Sequence, residues 1–144
     1  MLADIWKKYF SNQVVQSRRP VVKVLIVDDE PAVCDFVERA LRGDGYVTEV
    51  AYNGSVALAK AERFGHFDLL VTDVNMPHLK GHDLARQVRR LDPDIKVLYL
   101  TGYSDLLFKE RGNLGQDEAF VEKPVSAKGL RQAISLLLTG HVRE

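Results

Sequence analysis

The chain has 144 residues, 46% of them hydrophobic and 28% charged, which fits one globular domain and argues against wholesale disorder. Twenty basic side chains balance twenty acidic ones, without the basic excess usual in nucleic-acid binders, and the single cysteine, Cys34, permits neither an internal disulfide nor a C-x-x-C metal pair. No run approaches the ~18 apolar residues of a membrane span, and Lys7 and Lys8 interrupt any apolar signal segment, so a soluble, cytoplasmic protein is expected.

Residues 1–20 form an expected N-terminal extension. Leu2, Ile5, Trp6, Tyr9 and Phe10 share one face of a possible helix, and a polar linker ends at Arg18-Arg19-Pro20. Packing on its own domain or on a second copy, docking to a partner, and lying on a membrane surface all fit that pattern. Lys7, Lys8, Arg18 and Arg19 face only Asp4, so this segment is basic and the remaining 124 residues are acidic.

From Val21 to about residue 140, short β-rich apolar runs alternate with helical patterns. Val21–Val27 reads as a first strand buried on both faces. After acidic N-cap candidates and Pro31, the residues Ala32, Val33, Phe36, Val37, Ala40 and Leu41 recur at helical spacing up to Gly43-Asp44-Gly45. Cys34 falls on this helix and is expected to be a buried small hydrophobe. Tyr46–Tyr52 is a second strand. A helix from Asn53-Gly54-Ser55 runs through Ala57, Leu58, Ala61 and Phe64 to Gly65. Phe67–Thr72 is a third strand closing on Asp73, and a loop with Pro77 and Gly81 leads to a helix through Leu84, Val88 and Leu91. Ile95–Leu100 is the fourth strand, Tyr103 to about Arg111 a weaker helix, and Glu118–Val121 the fifth strand. Leu130, Ile134, Leu137 and Leu138 mark the last helix, before a tail at 141–144. Five strands, each followed by a helix, predict a doubly wound (βα)5 parallel sheet, and the order expected for it is the flavodoxin-like 2-1-3-4-5.

Ligands of such sheets bind beyond the carboxyl ends of the strands. The first strand ends in Asp28-Asp29-Glu30, the third in Asp73, the fourth in Thr101-Gly102, and the fifth leads into Lys123-Pro124. Three converging carboxylates repel unless a cation joins them, and an all-oxygen set suits Mg²⁺. No histidine joins the cluster, which argues against zinc, and His66, His78, His82 and His141 are expected to face solvent. Acids, metal, lysine and hydroxyl together fit a phosphoryl group arriving on one carboxylate, with Asp73 the natural nucleophile.

Val27-Asp28-Asp29-Glu30-Pro31, Thr72-Asp73-Val74-Asn75-Met76-Pro77, Leu100-Thr101-Gly102-Tyr103 and Phe120-Val121-Glu122-Lys123-Pro124 resemble the receiver domain of bacterial two-component response regulators. The resemblance spans about residues 21–138. It implies that Asp73 accepts phosphate from a histidine of a sensor kinase or phosphotransfer protein. Asp28 and Asp29 would hold Mg²⁺ with Asp73 and the backbone carbonyl of Asn75. Lys123, before a cis bond to Pro124, would pair with the phosphate. Thr101 would be the switch hydroxyl and Phe120 an aromatic that swings inward, although a strand aromatic can equally be static core. The side chains of Asn75 and Tyr103 would tune the phosphate's lifetime, set by this reading at minutes or longer.

On this resemblance the protein is a phosphorylatable switch and not a turnover enzyme. It would act on a downstream protein through the face formed by the helix after the fourth strand, the fifth strand and the last helix, with a weak homodimer possible. A free single-domain regulator and a module of a hybrid histidine kinase both fit, and no DNA-binding output is expected. A haloacid-dehalogenase-like phosphatase would want two aspartates flanking one residue, which Asp28-Asp29-Glu30 lacks, and a flavodoxin-like FMN carrier would not put acids beside a phosphate.

Overall fold

Five short apolar runs become the strands of one parallel sheet in a computed structural model that describes residues 21–102 and 114–140. The amphipathic segment at 1–20, the helix expected from Tyr103, and the tail with His141 lie outside the described residues. In chain order the elements are β1 (Lys23–Val27), α1 (Pro31–Gly43), β2 (Val47–Ala51), α2 (Gly54–Phe64), β3 (Leu69–Asp73), α3 (Gly81–Leu91), β4 (Lys96–Thr101), β5 (Glu118–Glu122) and α4 (Ala127–Thr139). The strands are all parallel, as the alternation predicts, and lie in the expected flavodoxin-like order 2-1-3-4-5.

Alternate residues of each strand point to opposite faces, so the near-continuous apolar runs of β1 and β3 feed two cores at once. Leu25, Val27, Leu70, Val97 and Tyr99 pack with Ala57 and Ala61 of α2 and Leu84, Ala85 and Val88 of α3. Val24, Ile26, Leu69, Val71, Leu98 and Leu100 pack with Val37 and Leu41 of α1 and Leu130 and Ile134 of α4. Pairing of Val27 with Thr72, Asp73 with Leu100 and Thr101 with Glu122 levels the carboxyl ends of β1, β3, β4 and β5. That register brings the polar strand-end residues to a single edge.

Three expectations need correction. The acids before Pro31 do not cap α1: Glu30 holds the N-cap position without a side-chain bond, because its carboxylate turns towards Lys123. Side-chain caps do start α2, where Asn53 Oδ1 accepts from the Val56 N–H at 2.8 Å, and α4, where Ser126 Oγ accepts from Gly129 at 3.0 Å. The third strand begins at Leu69 instead of Phe67. The Phe67 N–H donates to Asp92 Oδ2 at 3.1 Å, while Asp68 spends its carboxylate on the Lys23 N–H at 2.9 Å. Finally, Phe36, Phe64 and Leu91 follow helical spacing yet are 41%, 42% and 47% exposed, because each buried stripe is narrower than the apolar pattern.

Gly81 opens α3 directly against the end of β3, its N–H donating to Val74 O at 2.9 Å. A Cβ there would sit 2.2 Å from Asp73 O, inside backbone that cannot yield. Gly81→Ala is therefore expected to destabilise the protein by about 1–3 kcal/mol, the usual cost of overpacking. Gly43, whose Cβ would meet nothing within 4 Å, provides the control, and urea midpoints of the two alanine variants give the comparison. Equal midpoints would remove the steric argument.

Candidate functional site

Asp28 follows β1 and is fully buried. Its N–H donates to Ala51 O at 3.3 Å, its Oδ1 accepts from the Glu30 N–H at 2.9 Å, and its carbonyl accepts from Cys34 Sγ at 3.4 Å. These bonds turn the carboxylate inward, while the next residue, Asp29, stays exposed. Asp73, 6% exposed, closes β3, and the Val74 N–H behind it donates to Leu100 O at 3.2 Å. Lys123 leaves β5 with its N–H on Thr101 O at 2.8 Å, and its bond to Pro124 is cis, as the resemblance implies. Its Nζ lies 2.9 Å from Asp28 Oδ2, 3.6 Å from Asp73 Oδ1 and 3.6 Å from Glu30 Oε1.

One ammonium thus faces three carboxylates, with that of Asp29 close to two of them, and this crowding adds to burial in setting their protonation. Burial pushes the Asp73 carboxyl up to about 6, the Asp28 charge adds to the rise, and Lys123 and the Asn75 N–H oppose it. Burial likewise raises Asp28 against the pull of the Glu30 amide and Lys123. For Lys123 burial acts downward, but the carboxylates around it, Asp28 first, outweigh it and hold the ammonium above its ordinary value.

The donor set fits Mg²⁺. One carboxylate oxygen each from Asp28, Asp29 and Asp73 lie within 4.8 Å of one another, close to the ~4.2 Å that separates opposite ligands of an ion with 2.1 Å bonds. Asp28 Oδ2 is buried without a directed hydrogen bond, although Lys123 stands within ion-pair reach. A divalent cation would add a second positive partner for that buried oxygen and offset the surplus of negative charge.

Thr101 is buried at the end of β4, one residue beyond the register partner of Asp73. Asn75 places its N–H on the Asp73 carboxylate and leaves its side chain exposed. Phe120 is half-buried against the core cluster and pairs with Tyr99 across β4 and β5. Tyr103 lies outside the described residues. Cys34 is buried as expected, and burial pushes its thiol up to about 12. His66 and His78 are exposed as expected, whereas the His82 side chain is only 15% exposed, tucked into the first turn of α3. Sequence reasoning missed two contributors, the Glu30 carboxylate on Lys123 and Gly81 beneath Asp73. A glycine shortly after the strand-end acid, ahead of the helical pattern, was the available signal for the second.

A family model described as the response regulator receiver domain matches residues 24–135. The transcriptional regulatory protein TrcR of Mycobacterium tuberculosis is 35% identical over 109 residues, which cover 76% of this chain and 42% of TrcR. The sensor kinase CckA of Brucella abortus is 36% identical over 116 residues, covering 80% of this chain but 12% of CckA. The chain therefore spans less than half the length of either relative. Among solved structures, the response regulator TrrA of Thermotoga maritima in complex with Mg²⁺-BeF superposes with a TM-score of 0.67 at 32% identity, covering 81% of this chain and 99% of that one.

The raised pKa of Asp73 carries a stability cost of definite sign. Between the ordinary value of 3.8 and about 6 the folded protein keeps a proton that the unfolded chain releases, so stability falls as pH rises through that window. In buffer with a chelator, Asp73→Asn is expected to be more stable than the parent at pH 7, by no more than about 3 kcal/mol. That advantage should fade through the ordinary value of 3.8 and be gone at about pH 3, where the carboxyl is protonated in both the folded and the unfolded chain. Urea titrations at the two pH values measure it, and an advantage unchanged by pH would contradict the assignment.

Proposed function

Because this chain belongs to the response regulator receiver domain family, whose members are signalling switches and not turnover enzymes, we propose that it accepts a phosphoryl group on Asp73. The supporting observation is the meeting of Asp28, Asp29 and Asp73 within 4.8 Å, with Lys123 Nζ spanning the two buried acids. A carboxylate oxygen of Asp73 attacks the phosphorus of a phosphohistidine on a sensor kinase or phosphotransfer protein. The P–N bond breaks, its electron pair stays on the imidazole, which takes up a proton, and an acyl phosphate remains. Water later cleaves that bond, returning carboxylate and inorganic phosphate.

Asp28, Asp29, Asp73 and the carbonyl of Asn75 would hold Mg²⁺, which supplies positive charge to the phosphoryl oxygens. Lys123 is placed to transfer its ion pair from Asp73 to the incoming phosphate, exchanging one anion for another with little movement. Thr101 at the end of β4 would hydrogen-bond the phosphorylated side chain, and Phe120, only half-buried, has room to change its packing in response. The phosphate contacts would bias two states of a protein-binding face. The domain consists of residues 21–140, acting alone or as a module of a hybrid kinase, on a downstream protein and in the cytoplasm, with weak self-association. Residues 1–20 form an extension and 141–144 a tail. The side chains of Asn75 and Tyr103 would set how long the phosphate lasts.

Incubation with acetyl phosphate and Mg²⁺ should add the mass of one phosphoryl group, and Asp73→Asn or a chelator should prevent it. Asp29→Asn should raise the Mg²⁺ concentration needed by at least about tenfold. Tenfold is only 1.4 kcal/mol, less than the ~4 kcal/mol of one charge pair at 4 Å and an effective dielectric of 20. Wild-type protein that takes up no phosphate would end the proposal.

A further inference from the structure

The loop between β3 and α3 carries Asn75 past the acidic cluster, and buried contacts hold it along its length. Met76 is 5% exposed within the core, Gly81 abuts Asp73 O, and Leu79 seats its side chain against Gly54, the first residue of α2. A Cβ on Gly54 would lie 2.6 Å from Leu79 Cδ2 and 2.8 Å from Leu79 Cβ, so the contact has no room for a methyl group. Beside it the two loops stand apart around a cavity of about 340 Å³ lined by Tyr52, Val56, Pro77 and His78. His78 has a φ of +70°, and the Leu79 N–H donates across it to Pro77 O at 2.8 Å. A three-residue turn of that hand is the rare, strained form, which persists only where its surroundings over-determine it. Pro77 and His78 are exposed, whereas Leu79 is partly buried against the core that α2 and α3 share.

We propose that Leu79 is a positioning residue: seated on Gly54, it fixes the loop so that Asn75 presents its N–H to Asp73 and its carbonyl to the cation site. The N–H already bonds the Asp73 carboxylate. The carbonyl's part rests on the Mg²⁺ reading given above. Asn75 is exposed, so burial of its own side chain does not place its backbone. Its neighbours along the loop do. Met76 pins the chain just after it, and Leu79 sets the direction in which the chain then runs. Between them Pro77 has a fixed φ and the His78 turn is closed by its hydrogen bond, so a displacement of Leu79 finds few free torsions to absorb it. The strain at His78 is what bringing Leu79 back onto α2 requires. Gly54 thereby helps to shape a site to which it contributes no ligand.

Amide hydrogen exchange at Asn75, followed by NMR in buffer with a chelator, tests the positioning without any metal. Gly54→Ala overpacks the contact and Leu79→Ala empties it. Each should speed that exchange by about tenfold or more, equal to about 1.4 kcal/mol of local opening. The amide of Val71, inside β3, should change much less. Leu79→Met, of similar volume, should stay close to the parent rate, and Gly43→Ala, whose Cβ meets nothing within 4 Å, should leave it unchanged. Because both substitutions act on one contact, the double variant should exchange no faster than the faster single variant. In calorimetric titrations Gly54→Ala and Leu79→Ala should also need severalfold more Mg²⁺ than the parent. Asn75 exchange untouched by both variants would overturn the inference, since Met76 alone would then hold the loop. So would an acceleration matched at Val71, because the contact would then only stabilise the fold. A parent that binds no Mg²⁺ would end the metal reading instead, and the exchange rates in chelator would still decide the positioning.

Discussion

The Lys123 ammonium, set among Asp28, Asp73 and Glu30, is the interaction on which the carboxyl edge of the sheet depends. Asp28 has no exposure at all, and a carboxylate so buried tolerates ionisation only beside a compensating charge. The lysine comes from the end of β5, three strands away from β1, and its four-carbon stem is what lets it arrive. The parallel register that levels the strand ends, and the Lys123 N–H on Thr101 O, fix where that stem begins. One positive charge against those three acids, with Asp29 beside them, is still a deficit. Burial first, and the neighbouring Asp28 charge second, raise Asp73 to about 6, and a divalent ion would offset both.

Much of this was legible from the chain alone, for identifiable reasons. A strand buried on both faces must be nearly all apolar, so the first charged residue after the apolar run marks its end. Asp28 after Ile26-Val27 and Asp73 after Val71-Thr72 could therefore be placed without coordinates. The parallel pairing followed from the βα alternation, the strand order from the flavodoxin-like arrangement expected for it, and the meeting of Asp28 with Asp73 from that order. Family resemblance, not spacing, supplied the roles of Thr101, Phe120 and the cis Lys123-Pro124 bond.

What escaped sequence reasoning depends on contacts between distant segments. The start of β3 is set by Asp92 and by the Lys23 N–H, 25 and 45 residues from the groups they bind. Glu30 looked like a helix cap because local rules see only α1, whereas the competing partner, Lys123, sits 93 positions on. Gly81 looked like a loop residue until the backbone of Asp73 was found against it. Phe36 matched the helical period but not the width of the surface available to α1, since β1 and α4 occupy only part of that helix.

The two edges of the sheet differ in how their charges are satisfied, and that difference separates scaffold from site. At the amino edge, Asp92 accepts from the Phe67 N–H and meets His66 Nδ1 at 3.2 Å, and Asp68 accepts from Lys23. Glu118 there accepts from Tyr99 Oη at 2.8 Å, from Arg89 at 3.1 Å and from the Gly115 N–H at 3.1 Å. Each of those acids is closed by donors within the domain, which rigidifies the sheet and leaves nothing for a ligand. At the carboxyl edge the acids outnumber their donors, and Asp28 Oδ2 stays without a directed bond. Folding alone does not favour that surplus, because neutral or paired residues would be more stable there. Among the described residues the surplus gathers at this edge, around Lys123, which is where the proposed cation and phosphoryl group would be accommodated.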